Sequence, residues 1–178
     1  MTTSALAHLL CLASGIFGRP AWSEAKCAER AEMIESAAVR HSVDPILMVA
    51  LDVWEFDLQD KDNPVYQVVR GKRRLVGYDA CPMGVRILDV GERSRHGAAS
   101  LYELAASKLA RWSRWHARSR HSGHHFVAHY NPGNPVYADQ VLAIGAMLGG
   151  RTVKKGPNLT ARTLEILRRL GRVLSRRS

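Results

Sequence analysis

Asp44-Pro45-Ile46-Leu47-Met48-Val49-Ala50-Leu51-Asp52-Val53-Trp54-Glu55-Phe56 is the stretch on which the reading of the fold turns. Aspartate followed by proline marks a helix start. The side-chain oxygen accepts one of the unsatisfied backbone N–H groups, and proline fills the first turn, where its missing N–H costs nothing. From Ile46 to Trp54 every position except Asp52 is apolar. A helix without a polar face has to be enclosed by the rest of the chain, so residues 45 to 55 or 56 are predicted to be the central, buried helix. Its far end carries Glu55 between Trp54 and Phe56. A carboxyl group in apolar surroundings has its charged form disfavoured and holds a proton near neutral pH, which suits a general acid. The plainer alternative is a helix-terminal glutamate that points into water.

Working outward, Ala31, Ile34, Ala37, Ala38 and His41 recur at spacings of three and four and predict an amphipathic helix over 27–41. Leu101, Leu104, Ala105, Leu109, Trp112 and Trp115 do the same for 98–116. Residues 57–96 lack helical period and hold Asn63-Pro64, Gly71, Gly77, Pro82, Gly84 and Gly91, so loop or short strand is expected there. Val65–Val69 and Leu75–Tyr78, flanking Gly71-Lys72-Arg73, fit a small hairpin. A short helix is expected over 124–130 and a turn at Asn131-Pro132-Gly133-Asn134-Pro135. Pro135 then opens a helix with Val136, Val141, Ile144 and Leu148 inward. Past Gly149-Gly150, Leu164, Leu167, Leu170 and Leu174 alternate with arginines and mark either a last packed helix or one lying on an anionic surface. The fold class is therefore mainly α, with a central buried helix and a loop-rich or small β-hairpin insertion.

A chain of 178 residues with 46% apolar content suffices for one core without a metal. Residues 151–178 carry nine Lys/Arg against the lone Glu165, and so hold +8 of the formal +10. Such a basic tail favours polyanions by long-range attraction. It has no interleaved aromatics and no nucleic-acid recognition motif, so nucleic acid is not an expected partner. Anionic wall polymers or a membrane surface fit better, beside the plain reading of a solvated helix face.

At the other end, the apolar run Ala5–Phe17, the breaker Gly18-Arg19-Pro20 and then Ala21-Trp22-Ser23 resemble a secretory signal cut after Ser23, although no basic segment precedes the run. The alternative is an N-terminal helix docked on the core. The run is too short for a stable membrane anchor. If the cut occurs, Cys11 leaves and Cys27 and Cys81 remain, an even pair expected to bridge in an exported protein. That bridge would enclose 53 residues, a constraint of roughly 4 kcal/mol. Two buried free thiols are the other possibility. The expected organisation is thus 1–23 as signal, 24–150 as the folded domain and 151–178 as a basic tail or helix, in the periplasm, cell envelope or outside the cell.

The apolar helix ending in Glu55 is followed by Cys81-Pro82-Met83-Gly84-Val85-Arg86-Ile87 and then by His129-Tyr130-Asn131-Pro132-Gly133-Asn134-Pro135-Val136-Tyr137. This order resembles the soluble lytic transglycosylase and goose-type lysozyme-like family, in which a helix ends in a catalytic Glu, a G-L-M-Q-I type stretch follows and a Y-N-x-G-N-P-x-Y stretch comes later. The likeness spans about residues 28–148. It implies a lysozyme-like domain, with Glu55 as catalytic acid/base, Tyr130 and Tyr137 near the reacting sugar, and Asn131, Gly84 and Arg86 lining the substrate cleft. It further implies cleavage of the bond between N-acetylmuramic acid and N-acetylglucosamine in peptidoglycan to give a 1,6-anhydro end, without a cofactor. Phe56 stands where the family usually has Ser, and Arg86 where it has a sugar-contacting Gln. These departures motivate the alternative of an impaired relative that binds wall glycan or a partner protein.

Two further groups are weighed against plainer roles. Tyr78, Trp112 and Trp115 fit sugar stacking less well than core. His121, His125 and His129 are four apart, as ligands on one helix face would be, but Gly123 interrupts that helix and no Cys or carboxylate lies close by. No metal is expected, and His129 is placed near the cleft.

Overall fold

The structure is a computed structural model and describes residues 2–17, 21–56, 58, 61–119, 124–153 and 158–175. The helix read from residues 44–56 forms as expected. Asp44 Oδ1 accepts from the Ile46 N–H at 2.9 Å, and α3 runs Pro45–Phe56 with Met48 to Val53 all buried, Asp52 among them. Around it pack α2 (Glu24–His41), α5 (Ala98–Ser119) and α6 (Tyr137–Leu148), α2 touching both α3 and α5 and α6 lying on α3. α2 ends on Ser42 in the left-handed region, its N–H satisfied by the carbonyls of Ala38 and Val39.

The insertion between α3 and α5 is a three-stranded antiparallel sheet in the order β1 (Asn63–Val69), β2 (Lys72–Ala80), β3 (Val85–Ile87). The first strand ends at Val69 as expected, but the second begins at Lys72, three residues before the expected Leu75. Arg70 and Gly71, both at positive φ, form the two-residue loop, and Lys72 already pairs with Val69. Loops of this length favour positive φ at both central positions because that twist matches the flanking strands. β2 also runs on through Gly77 to Ala80. A Cβ at Gly77 would sit 1.9 Å from the Ile87 carbonyl oxygen, so only glycine lets the chain leaving β3 cross so closely. A short helix, α4 (Val90–Arg93), capped by Asp89, follows in a region read as irregular.

Three helices shift from their expected registers. α6 starts at Tyr137 rather than Pro135, because Asn134 holds a turn: its side chain accepts from the Val136 N–H (3.2 Å) and its carbonyl from the Tyr137 N–H (3.1 Å). On α5, Leu104 and Trp115 are exposed and Tyr102 and Ala106 take the inward positions. The basic tail contains α7 (Ala161–Leu174), which docks on α6 through Thr163, Ile166, Leu167 and Leu170. This is the packed-helix alternative, rotated from the expected Leu164/Leu174 stripe.

The cysteine expectation is corrected. Cys27 is bridged to Cys11, and Cys81 is a buried thiol outside the disulfide. The cause is α1 (Thr3–Ser14), which lays Leu6, Leu10 and Ala13 into the core against α2 and brings Cys11 beside Cys27. A bridge over 16 residues of separation contributes about 3 kcal/mol through the unfolded chain. Cleavage after Ser23 ahead of bridge formation would carry Cys11 away, whereas a bridge already formed would hold the cut segment on the chain. No described helix is long and apolar enough to cross a membrane.

Candidate active site

A cleft of ≈ 310 Å³ opens where the end of α3, the sheet and the segment before α6 meet. Glu55, Gly84, Arg86, Tyr130 and Asn131, all singled out from the sequence, line it together. Tyr137, the remaining one, is fully buried behind the cleft and donates its phenol proton to Glu55 Oε1 at 2.5 Å. Its ring is parallel to that of Tyr130 at 6.4 Å between centroids. His129 also lines the cleft.

The cleft floor is tied down from below. Asp52, one turn before Glu55, is buried and accepts from the Tyr102 hydroxyl at 2.9 Å and from the Met83 N–H at 3.4 Å. The Met83 carbonyl accepts from the Tyr130 hydroxyl at 2.7 Å. The turn between β2 and β3, with Met83 and Gly84 both at positive φ, is thereby clamped between α3 and the Tyr130 segment. Positive φ at a non-glycine residue persists only where surrounding structure imposes it, and these two bonds supply that. At the edge, Asp62 accepts from the Cys81 N–H (2.9 Å) and from Arg93 Nε (2.6 Å). Burial alone would raise the Asp62 pKa, but these donors outweigh it and hold it below the ordinary carboxylate value.

Glu55 is half-buried, and its pKa is raised. Burial is the main cause. The Tyr137 hydrogen bond opposes it, the charge of Asp79 adds to it, and Arg162 and Lys108 act downward. Arg162 comes from α7, donating to the Trp54 carbonyl at 2.6 Å with its guanidinium 4.6 Å from the Trp54 ring. The basic tail therefore satisfies a carbonyl of the last turn of α3, where a positive group is also favoured by the helix dipole. Lys108 Nζ sits 4.3 Å from the Tyr130 ring centre, and burial followed by the Arg86 charge lowers its pKa.

Sequence reasoning missed Asp79, Lys108 and Arg162. Asp79 lines the cleft and is held by Arg86 through two bonds, at 2.8 and 3.1 Å, as its cross-strand partner. The antiparallel register of β2 and β3 pairs these two, whereas the carboxylates nearest Glu55 in sequence are Asp52 and Asp57. Asp52 is occupied beneath the floor, and Asp57 lies outside the described residues. Of the aromatics, Trp115 is exposed and Trp112 stacks on His129 at 4.3 Å. His121 also lies outside the described residues, while the His125 ring accepts from the Val127 N–H.

Such an arrangement offers a carboxyl group whose protonated form burial favours, oriented through Oε1 by Tyr137, with the charges of Arg162 and Lys108 favouring its ionised form. It can give a proton to a leaving oxygen and take one back. No family model, no curated protein and no solved structure matches this chain.

Proposed function

We propose that this chain is a peptidoglycan lytic transglycosylase in which Glu55 is the single acid/base. The observation that carries the reading is the Glu55 carboxyl, raised in pKa by burial, fixed by Tyr137 and aimed at a cleft lined by Tyr130, Asn131, Gly84 and Arg86. The resemblance of the sequence to the lytic transglycosylase and goose-type lysozyme-like domains supplies the substrate.

Glu55 gives its proton to the oxygen joining N-acetylmuramic acid to N-acetylglucosamine, and the bond to C1 breaks. The ionised carboxylate, steadied by Lys108 and Arg162, then takes the proton of the muramic 6-hydroxyl as that oxygen closes on C1. The products are a free 4-hydroxyl on N-acetylglucosamine and a 1,6-anhydro end, and no water is consumed. Sacculi incubated with the protein are expected to release anhydromuropeptides, with release abolished in Glu55→Gln. Equal release by both proteins removes Glu55 from the mechanism, and absence of release with retained sacculus binding favours the glycan-binding alternative motivated by Phe56 and Arg86.

Asp79 favours a second reading, lysozyme-like hydrolysis, because it is a second carboxylate on the same cleft. Inversion through water needs such a group as base, across roughly 6.5–9.5 Å. Its engagement with Arg86 weakens it as a base, which ranks this reading second. Asp79→Asn separates the two: loss of reducing ends in favour of none would mark hydrolysis, whereas unchanged anhydro product leaves Glu55 alone.

Export to the periplasm or envelope belongs to the proposal, as does attraction of the arginine-rich tail to anionic wall polymer or lipid. The Cys11–Cys27 disulfide, a bond that lasts in oxidising compartments, supports export for the chain that keeps its N-terminal helix. N-terminal sequencing of the envelope fraction tests it, and recovery of the protein only from the cytoplasm would defeat it.

A further inference from the structure

Three histidines, one of them the cleft-lining His129, converge. His116 lies near the end of α5, His124 precedes the 3-10 turn Phe126–Tyr130, and His129 lies within that turn. Their ligand nitrogens all lie within 4.8 Å of one another. The Nε2 atoms of His129 and His116 are 2.8 Å apart, and those of His124 and His129 are 3.3 Å apart. We propose that His116, His124 and His129 form a binding site for a divalent transition metal of the zinc class.

The distances carry the inference. With metal–nitrogen bonds of about 2.0–2.1 Å in a tetrahedral field, ligand nitrogens sit roughly 3.3 Å apart, so a cation placed among these rings reaches all three after shifts of about 1 Å. Imidazole is the ligand that suits such ions, and as a neutral base it binds them near neutral pH. The rings are also held in place. Trp112 stacks on His129 at 4.3 Å and 17°, and Trp115 stands edge-on to His129 at 5.3 Å and to His116 at 5.4 Å. An aromatic shell of this kind fixes ring orientation and lowers the local dielectric. His124 is exposed, which leaves a coordination position open to water. The spacing of four that groups His121, His125 and His129 does not find this set, because His124 and His129 are five apart and His116 lies on α5.

Occupancy reaches the cleft through one peptide bond. His129 precedes Tyr130, whose hydroxyl holds the Met83 carbonyl. A metal there ties the end of α5 to the segment that carries the cleft tyrosine. The site itself does not depend on the reading of the cleft as a glycan site.

The test is calorimetric titration of chelator-treated full-length protein with zinc chloride, followed by Co²⁺ absorption as a report of tetrahedral geometry. One equivalent is expected to bind, raising the Tm by about 5–10 °C at a hundredfold excess over Kd. His116→Gln and His124→Gln are each expected to weaken binding by more than about 100-fold, since even partners outside the ligand set are worth roughly 10- to 100-fold. His96→Gln, just before α5 and about 27 Å along that helix from His116, is expected to bind as the wild type does. Circular dichroism confirms that the variants fold. Failure of the wild type to bind one equivalent, wild-type affinity in either cluster variant, or an equal loss in His96→Gln overturns the proposal.

Discussion

The helical part of the cleft and its strand part are built on different principles. On the helical side, Glu55, Tyr137, Tyr130 and Asp52 are half-buried or buried, and each is hydrogen-bonded to a group that is itself fixed by packing. On the strand side, Asp79 and Arg86 pair across two short strands, with the arginine largely in water. In the first environment the low dielectric magnifies each interaction and makes an unpaired group costly. In the second, solvent screens the pair, and exposed ion pairs are typically worth between 0 and about 1 kcal/mol. Chemistry and stability should therefore depend on the helical side, and tuning on the strand side.

The largest effect is expected at Glu55. Glu55→Gln keeps the shape and an acceptor for the Tyr137 hydroxyl but cannot move a proton, so turnover should fall by about 10²- to 10⁴-fold, as read by muropeptide analysis. The same variant carries a stability signature. Because the folded-state pKa of Glu55 is raised above 4.5, the native state binds the proton more tightly than the unfolded chain. The stability this supplies is complete below about pH 4 and is lost as pH rises through the folded value. Melting curves should show Glu55→Gln gaining on the wild type from acid toward neutral pH, and a difference that stays flat would show that the carboxyl is not held in an apolar setting.

Asp52→Ala ranks next. It strips the Tyr102 hydroxyl and the Met83 N–H of their acceptor inside the protein, at a cost of about 3 kcal/mol. For a chain of this size that lowers Tm by roughly 6–12 °C. Activity should fall with it, because the Met83 turn and Tyr130 lose their support. A variant as stable as the wild type would mean that the clamp beneath the cleft carries no load.

This contrast also explains what could be read from the amino-acid order. The buried helix and its terminal Glu55 were legible because burial leaves a continuous apolar run, whereas Tyr130, Asn131, Gly84 and Arg86 were reached only through the resemblance of their two short stretches to family motifs. Asp79, Lys108 and Arg162 come from a strand, a helix face and the tail. Nothing local distinguishes them from solvated charges, and only tertiary packing brings them to Glu55. Leu104 and Trp115 obey the helical period of α5 yet face outward, since periodicity fixes a stripe but not how much of it the neighbours cover. The disulfide was misread for a related reason. Three cysteines allow three pairings, and the choice rests on whether α1 docks, which a signal-like composition does not decide.

Smaller effects sharpen the contrast by sign. The hydrogen bond from Tyr137 acts to lower the Glu55 pKa, so Tyr137→Phe should raise it further and move the alkaline limb of the pH–rate profile upward. Turnover should drop about tenfold as the carboxyl loses its fixed orientation. The charge of Asp79 acts the other way, adding to the rise. Asp79→Asn should therefore bring the alkaline limb down, with the Tm within about 2 °C of the wild type because the pair with Arg86 is half-exposed. Under the single-carboxyl mechanism the two shifts are opposite in direction, and the double variant falls between them. A limb that moves the same way in both, or a tenfold loss of rate in Asp79→Asn, would show that the strand side supplies a reacting group and that the division between the two sides of the cleft is wrong.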